Sequence, residues 1–156
     1  MVSAAATWRS GWTQLGFEAD SGGAIFGYSY FGYGALAGIG WRSATGWQLD
    51  ALAVGGIHHY EGFGRGLLSD DPGANATLPF AGLRGGPSYA FGAGSTHFAI
   101  GLLAFAETDL ASRTVAYDYQ QREWLGSSSF PQSEVRTIWT ERAGIALRLG
   151  ITHDLL

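Results

Sequence analysis

The last segment of the chain alternates with a period of two. Ala143, Ile145, Leu147, Leu149 and Ile151 stand at odd positions, while Arg142, Gly144, Ala146, Arg148, Gly150, Thr152 and Asp154 stand at even ones. Successive side chains of a strand point to opposite faces, so this spacing predicts one aliphatic face and one small or charged face. The odd run spans about ten residues, the length of a tilted strand that crosses a bilayer. Apolar residues that recur at two, and not at three and four, make sheet. No stretch reaches the roughly 18 consecutive apolar residues of a membrane-spanning helix.

The same alternation returns upstream. Ala35, Ala37, Ile39 and Trp41 face away from Gly38, Gly40 and Arg42. After Ser43-Ala44-Thr45-Gly46, the odd face carries Trp47, Leu49, Ala51, Ala53, Gly55 and Ile57, and the even face Gln48, Asp50, Gly56 and His58. The pair reads as a hairpin, with Trp41 and Trp47 flanking its turn on the apolar face. A second hairpin runs from Leu78 to Phe91, with Ala81, Leu83, Tyr89 and Phe91 opposite Arg84 and Ser88. It turns in Gly92-Ala93-Gly94-Ser95-Thr96 and returns through Phe98, Ile100, Leu102 and Ala104. Two polar connections, residues 61–77 and 120–133, are long. Short turns thus alternate with long loops, as they do around membrane barrels.

The strand count depends on two places. The N-terminal part, Trp8 to Asp20 and Ala24 to Tyr33, holds one or two strands. Tyr33-Gly34 and Asp109 to Arg113 read as turns in an eight-strand count and as bulges in a count of six long strands. The expectation is a single domain, residues 1–156, folded as an all-β, antiparallel up-and-down transmembrane β-barrel of eight strands, with six long strands as the alternative.

Composition agrees with that expectation. Charged residues make up 14% of the chain, against roughly 25% in soluble domains. There are 25 glycines, 14% of residues are aromatic, and mean hydropathy is only +0.05. A barrel wall that alternates lipid-facing with interior residues averages out in this way. Cysteine is absent, which excludes disulfides and thiolate metal sites. Net charge is −4 and all nine basic residues are Arg. They form no basic stripe, so nucleic acid is not an expected partner. Met1 to Thr7 lacks the charged region and apolar run of an export signal, so the reading is a mature chain with Met1 added.

Alternating strands, aromatics beside the turns and the loop asymmetry resemble, over most of the chain, the small bacterial outer-membrane barrels of the OmpA and OmpX type. The resemblance implies location in the bacterial outer membrane, insertion from the periplasm, and long loops outside the cell. The implied partner is the lipid bilayer, with a surface partner reached through loops 61–77 and 120–133.

Arg42, Asp50, Arg84, Glu107, Arg142 and Arg148, with His58 and Asp154, share the face expected inside. A small barrel has room for side chains but not for an open channel, and buried charges must pair. This cluster is therefore read as an ionic plug and as the one candidate binding site. The alternative is a narrow polar path in a small pore or transport component. A further alternative is a soluble barrel with inverted faces that binds an apolar ligand. Its surface would then be poorer in charge than the quarter to a third typical of soluble surfaces.

No catalytic set is expected. There is no Gly-x-Ser-x-Gly elbow, and no spacing singles out Ser, His and carboxylate. His58 and His59 are adjacent, so on a strand they point to opposite faces and cannot chelate one ion from inside. Ser69-Asp70-Asp71-Pro72-Gly73 lacks the ligand spacing of a calcium loop and reads as a polar turn. No metal and no cofactor are expected. Tyr117, Tyr119, Trp124, Phe130 and Trp139 surround the second long loop, where they form either a protruding contact hairpin or an aromatic girdle.

Overall fold

The computed structural model describes residues 1–24, 28–63, 73–122 and 129–155. Among them are nine strands and no helix: β1 (Val2–Ser10), β2 (Thr13–Ala24), β3 (Tyr28–Arg42), β4 (Trp47–Phe63), β5 (Ala74–Phe91), β6 (Thr96–Asp109), β7 (Arg113–Arg122), β8 (Ser129–Ile138) and β9 (Glu141–Asp154). Seven of them close a barrel in the order β1-β2-β3-β4-β5-β6-β9, while β7 and β8 form a separate two-stranded sheet. Neighbours in the barrel pair antiparallel except at one seam. There β1 runs parallel to β9, from Val2 opposite Leu147 to Arg9 opposite Asp154.

The barrel is therefore all-β and closed, but it has seven strands instead of eight or six, and it is not antiparallel throughout. Tyr33-Gly34 is neither turn nor bulge. Gly34 pairs in unbroken register with Glu18 on one side and Gly56 on the other. The reversal missed from the sequence is Gly11-Trp12, where Gly11 has φ of 59°, a conformation that favours glycine. It divides the expected strand Trp8–Asp20 between β1 and β2.

The break at Asp109 to Arg113 lies opposite a proline of β5. The β5–β6 ladder ends at Phe80 opposite Asp109, one residue short of Pro79. The carbonyl of Pro79 accepts from the Leu110 amide at 2.8 Å, so this residue turns its backbone toward β6. Proline has no N–H to return. Pro87 has the same parity and falls in the gap of that ladder between Gly85 and Ser88. Freed at Asp109, the chain leaves the wall as the β7–β8 hairpin and rejoins it at β9. There Thr108 pairs with Glu141.

The two expected hairpins, β3–β4 and β5–β6, form around 43–46 and 92–95. With Gly11-Trp12 they mark one end of the barrel, the turn end. The end of β4, the start of β5 and the root of the β7–β8 hairpin lie at the other, the loop end.

Side chains sort by parity. On β9, Ile145, Leu147, Leu149 and Ile151 stand outside, Ile145 with 72% of its surface exposed, whereas Ala146, Arg148 and Thr152 are buried. Leu15, Phe17, Ile39, Leu49, Leu83, Ile100 and Leu102 are also exposed. Inside, Leu36, Leu52, Val54 and Phe80 form an apolar strip along β3–β5. At the loop end a second apolar cluster joins Tyr30, Tyr60, Ala74, Ala76, Leu78 and Ile138, with Val115 and Tyr117 of the hairpin packed on it.

Candidate functional site

The rest of the interior is polar and stacks in tiers along the barrel axis. At the turn end Asp154 accepts from Arg9 Nε at 3.0 Å and pairs with Arg42. His97 Nε2 stands 3.3 Å from the same carboxylate. In the next tier, buried Asp50 receives Arg148 Nη1 at 3.1 Å, Gln14 Nε2 at 2.5 Å and Gln48 Nε2 at 2.9 Å. Gly40 makes this possible, since a Cβ there would strike both Gln14 and Asp50.

The central tier is built around Arg84, which is 2% exposed. Its guanidinium pairs with Glu18, with Asp20 Oδ2 at 2.5 Å, and with Glu107 Oε1, to which Nε donates at 2.7 Å. Arg142 Nη2 donates to the other oxygen of Glu107 at 3.0 Å. The Arg142 guanidinium also lies over the Tyr30 ring, 4.0 Å from its centroid, a favourable cation–π position.

His58 is fully buried beside this group and stacks on Phe80 with ring centroids 3.6 Å apart. Its Nε2 lies 3.8 Å from Asp20 Oδ1 and 4.0 Å from Glu107 Oε2, and its Nδ1 lies 3.7 Å from Asp109 Oδ1. Arg142 Nη2 approaches both ring nitrogens, at 2.7 and 2.9 Å. Toward the loop end, Asp109 Oδ2 accepts from the Thr140 amide at 2.9 Å and its hydroxyl at 3.0 Å, and Asp109 Oδ1 accepts from Tyr60 OH at 2.8 Å. Trp139 Nε1 donates to the Asp109 carbonyl at 3.0 Å. This knot holds the root of the hairpin.

The six residues of the expected cluster thus fall into three groups. Arg84, Glu107 and Arg142 meet in the central tier, Asp50 and Arg148 pair in the next, and Arg42 stands apart with Asp154. Glu18, Asp20, Asp109, Gln14 and Gln48 complete the network and were not singled out. A signal for three of them was present: Gln14, Glu18 and Asp20 alternate with Leu15, Phe17 and Ala19. Asp109 shares the inward parity of Glu107 on β6, but its partners Tyr60 and Thr140 could not be read locally.

His58 and His59 do face opposite ways, the first fully buried and the second with its side chain 49% exposed. Outside, His59 Nδ1 and Thr77 Oγ1 share a hydrogen bond of 2.9 Å. Tyr117 and Tyr119 lie on β7. Trp124, the Phe130 side chain and residues 69–72 lie outside the described residues.

Chemically, the interior offers charge held by countercharge. Among the described residues, Asp20, His58 and Glu107 are the one buried trio whose donor atoms lie within 4.8 Å of one another. Comparison with protein-family models, with curated proteins and with solved structures found no match for this chain.

Proposed function

We propose that this chain is an integral β-barrel of a bacterial outer membrane, with a structural or surface-interaction role and an interior closed by paired charges. The observation that carries the reading is the inside-out distribution of polarity. Apolar side chains cover the outer wall, and paired charges share the interior with two apolar clusters, whereas a soluble barrel turns its charges outward.

The dimensions support it. On β3, exposed Phe31 and Trp41 stand ten residues apart. At about 3.3 Å per residue and a tilt of about 40°, they span roughly 25 Å, the height of the apolar band of outer-membrane barrels. Trp8, Trp41, Trp47, Tyr89, Phe91 and Phe98 ring the turn end, and Phe31, Tyr33 and Trp139 lie toward the loop end. Such belts suit the two membrane interfaces. The ion pairs of Asp50, Arg84 and Asp154 cross the interior at successive levels, which favours a closed barrel over a pore. The expected loops 61–77 and 120–133 are shorter than read, since residues 61–63 and 74–77 belong to β4 and β5 and residues 120–122 and 129–133 to β7 and β8; we assign a partner to the loop end where these strands meet.

The test is purification without detergent, followed by a gel run with and without heating, and then conductance in planar bilayers. The reading expects aggregation without detergent, a heat-modifiable band in it, and no steady conductance. A monodisperse soluble protein overturns the membrane reading. A steady open channel overturns the closed interior and favours the pore.

A further inference from the structure

We propose that Asp20, His58 and Glu107 bind one divalent transition-metal cation of the zinc class inside the barrel. The inference concerns the interior alone and holds whether or not the outer wall faces lipid. It also revises the expectation of no metal, which considered only neighbours in sequence; these three residues come from β2, β4 and β6.

Charge is the first argument. The loop-side half of the interior encloses the carboxylates of Glu18, Asp20, Glu107 and Asp109, all at most 6% exposed. The guanidiniums of Arg84 and Arg142 stand against them. Four carboxyl groups thus face two guanidiniums and the His58 imidazole. A buried carboxylate needs a countercharge, and a dication is drawn to such an excess of carboxyl groups.

Geometry is the second. Arg84 grips one oxygen of each carboxylate, Asp20 Oδ2 and Glu107 Oε1. The other oxygens, Asp20 Oδ1 and Glu107 Oε2, turn toward His58 Nε2 at 3.8 and 4.0 Å. A tetrahedral zinc ion with bonds of about 2.0–2.1 Å holds its ligand atoms about 3.3 Å apart, so the three donor atoms, all within 4.8 Å of one another, must draw together to close the site. One imidazole and two carboxylates suit this class of ion. Arg84 then plays the part of an outer-shell group that orients the ligands.

The third argument is an unsatisfied atom. Asp20 Oδ1 is buried without a hydrogen-bond partner, and it is the oxygen aimed at His58. Gly32 keeps that side open, since a Cβ there would collide with both Asp20 Oδ1 and the His58 ring.

Arg142 stands where the ion would come in. Its Nη1 also lacks a hydrogen-bond partner, and its side chain is 10% exposed. It lines a cavity of about 310 Å³ together with Gly22, Gly23 and Tyr30. Arg142 Nη2 bonds both His58 and Glu107, so the guanidinium must leave this position before the metal takes its place.

The experiment refolds the protein in detergent after chelation and titrates it with Co2+ alone, then with Zn2+ as competitor. Absorption reports the coordination, and X-ray absorption reports the donor atoms. The chain has four histidines, so the variant His59→Ala/His97→Ala/His153→Ala retains only His58. We expect the wild type and this variant each to take up one Co2+ per chain with an imidazole nitrogen among the ligands. Asp20→Asn should bind at least about tenfold more weakly. Failure of the triple variant to bind, or binding without a nitrogen donor, overturns the proposal. So does a refolded Asp20→Asn that binds as the wild type does.

Discussion

Arg84 is one cation held by three carboxylates, and its removal affects all of them at once. Breaking a buried ion pair by deleting one partner costs about 3–5 kcal/mol, because the remaining charge stays buried. Arg84→Leu is therefore expected to destabilise the folded barrel by at least that much, read as a lower midpoint of denaturant unfolding in detergent. Leu147, 41% exposed on the outer wall, should fail by another route. Leu147→Arg is expected to hinder insertion by about 2–4 kcal/mol near the bilayer midplane, seen as a loss of the heat-modifiable band at unchanged synthesis. If Leu147→Arg inserts as well as the wild type, the outer wall does not face lipid. At this scale the sequence was informative where parity alone decides. Arg84, Glu107, Arg142, Asp50 and Arg148 could all be placed on one face by counting in twos. Which carboxylate meets which guanidinium could not, because Arg84 and Asp20 stand 64 residues apart and meet only across the closed barrel.

Among the elements, the clearest contrast lies between the wall and the β7–β8 hairpin. β6 and β9 pair from Thr96 opposite His153 to Thr108 opposite Glu141 without help from the hairpin. Replacing residues 113–138 by a short glycine-containing turn should thus leave a barrel that still refolds and remains heat-modifiable. It should also remove Val115, Tyr117 and Ile138 from the loop-end cluster. A variant that fails to refold would show that the hairpin is needed to form the wall. β3–β4 and β5–β6 were legible because each has a short turn between two alternating runs. The N-terminal pair was not, because its turn has only two residues and interrupts the alternation very little. The departure of the hairpin was hidden for another reason. It coincides with a missing donor at Pro79, which lies on a different strand from the break.

For the whole molecule, closure is the property that sequence periodicity left open. Alternation specifies which face of each strand lies inside, but it does not say how many strands complete the ring or in what direction the last meets the first. Register settles that, and register depends on contacts between the two ends of the chain, such as Thr7 Oγ1 with Thr152 Oγ1 at 2.9 Å and the Leu155 amide with the Arg9 carbonyl at 2.6 Å. The parallel seam has a consequence for sidedness. Because β1 and β9 run the same way, the first strand begins at the loop end and the last finishes at the turn end. Threaded through a bilayer, this chain makes an odd number of crossings. Epitope tags fused before Val2 and after Leu155 should then report from opposite compartments. Protease added to intact cells is expected to strip the N-terminal tag and spare the C-terminal one, whereas an even ring would expose or protect both together. If the wall spans a bilayer as proposed, β1 and β9 give the fold a direction, entering from one aqueous space and leaving into the other.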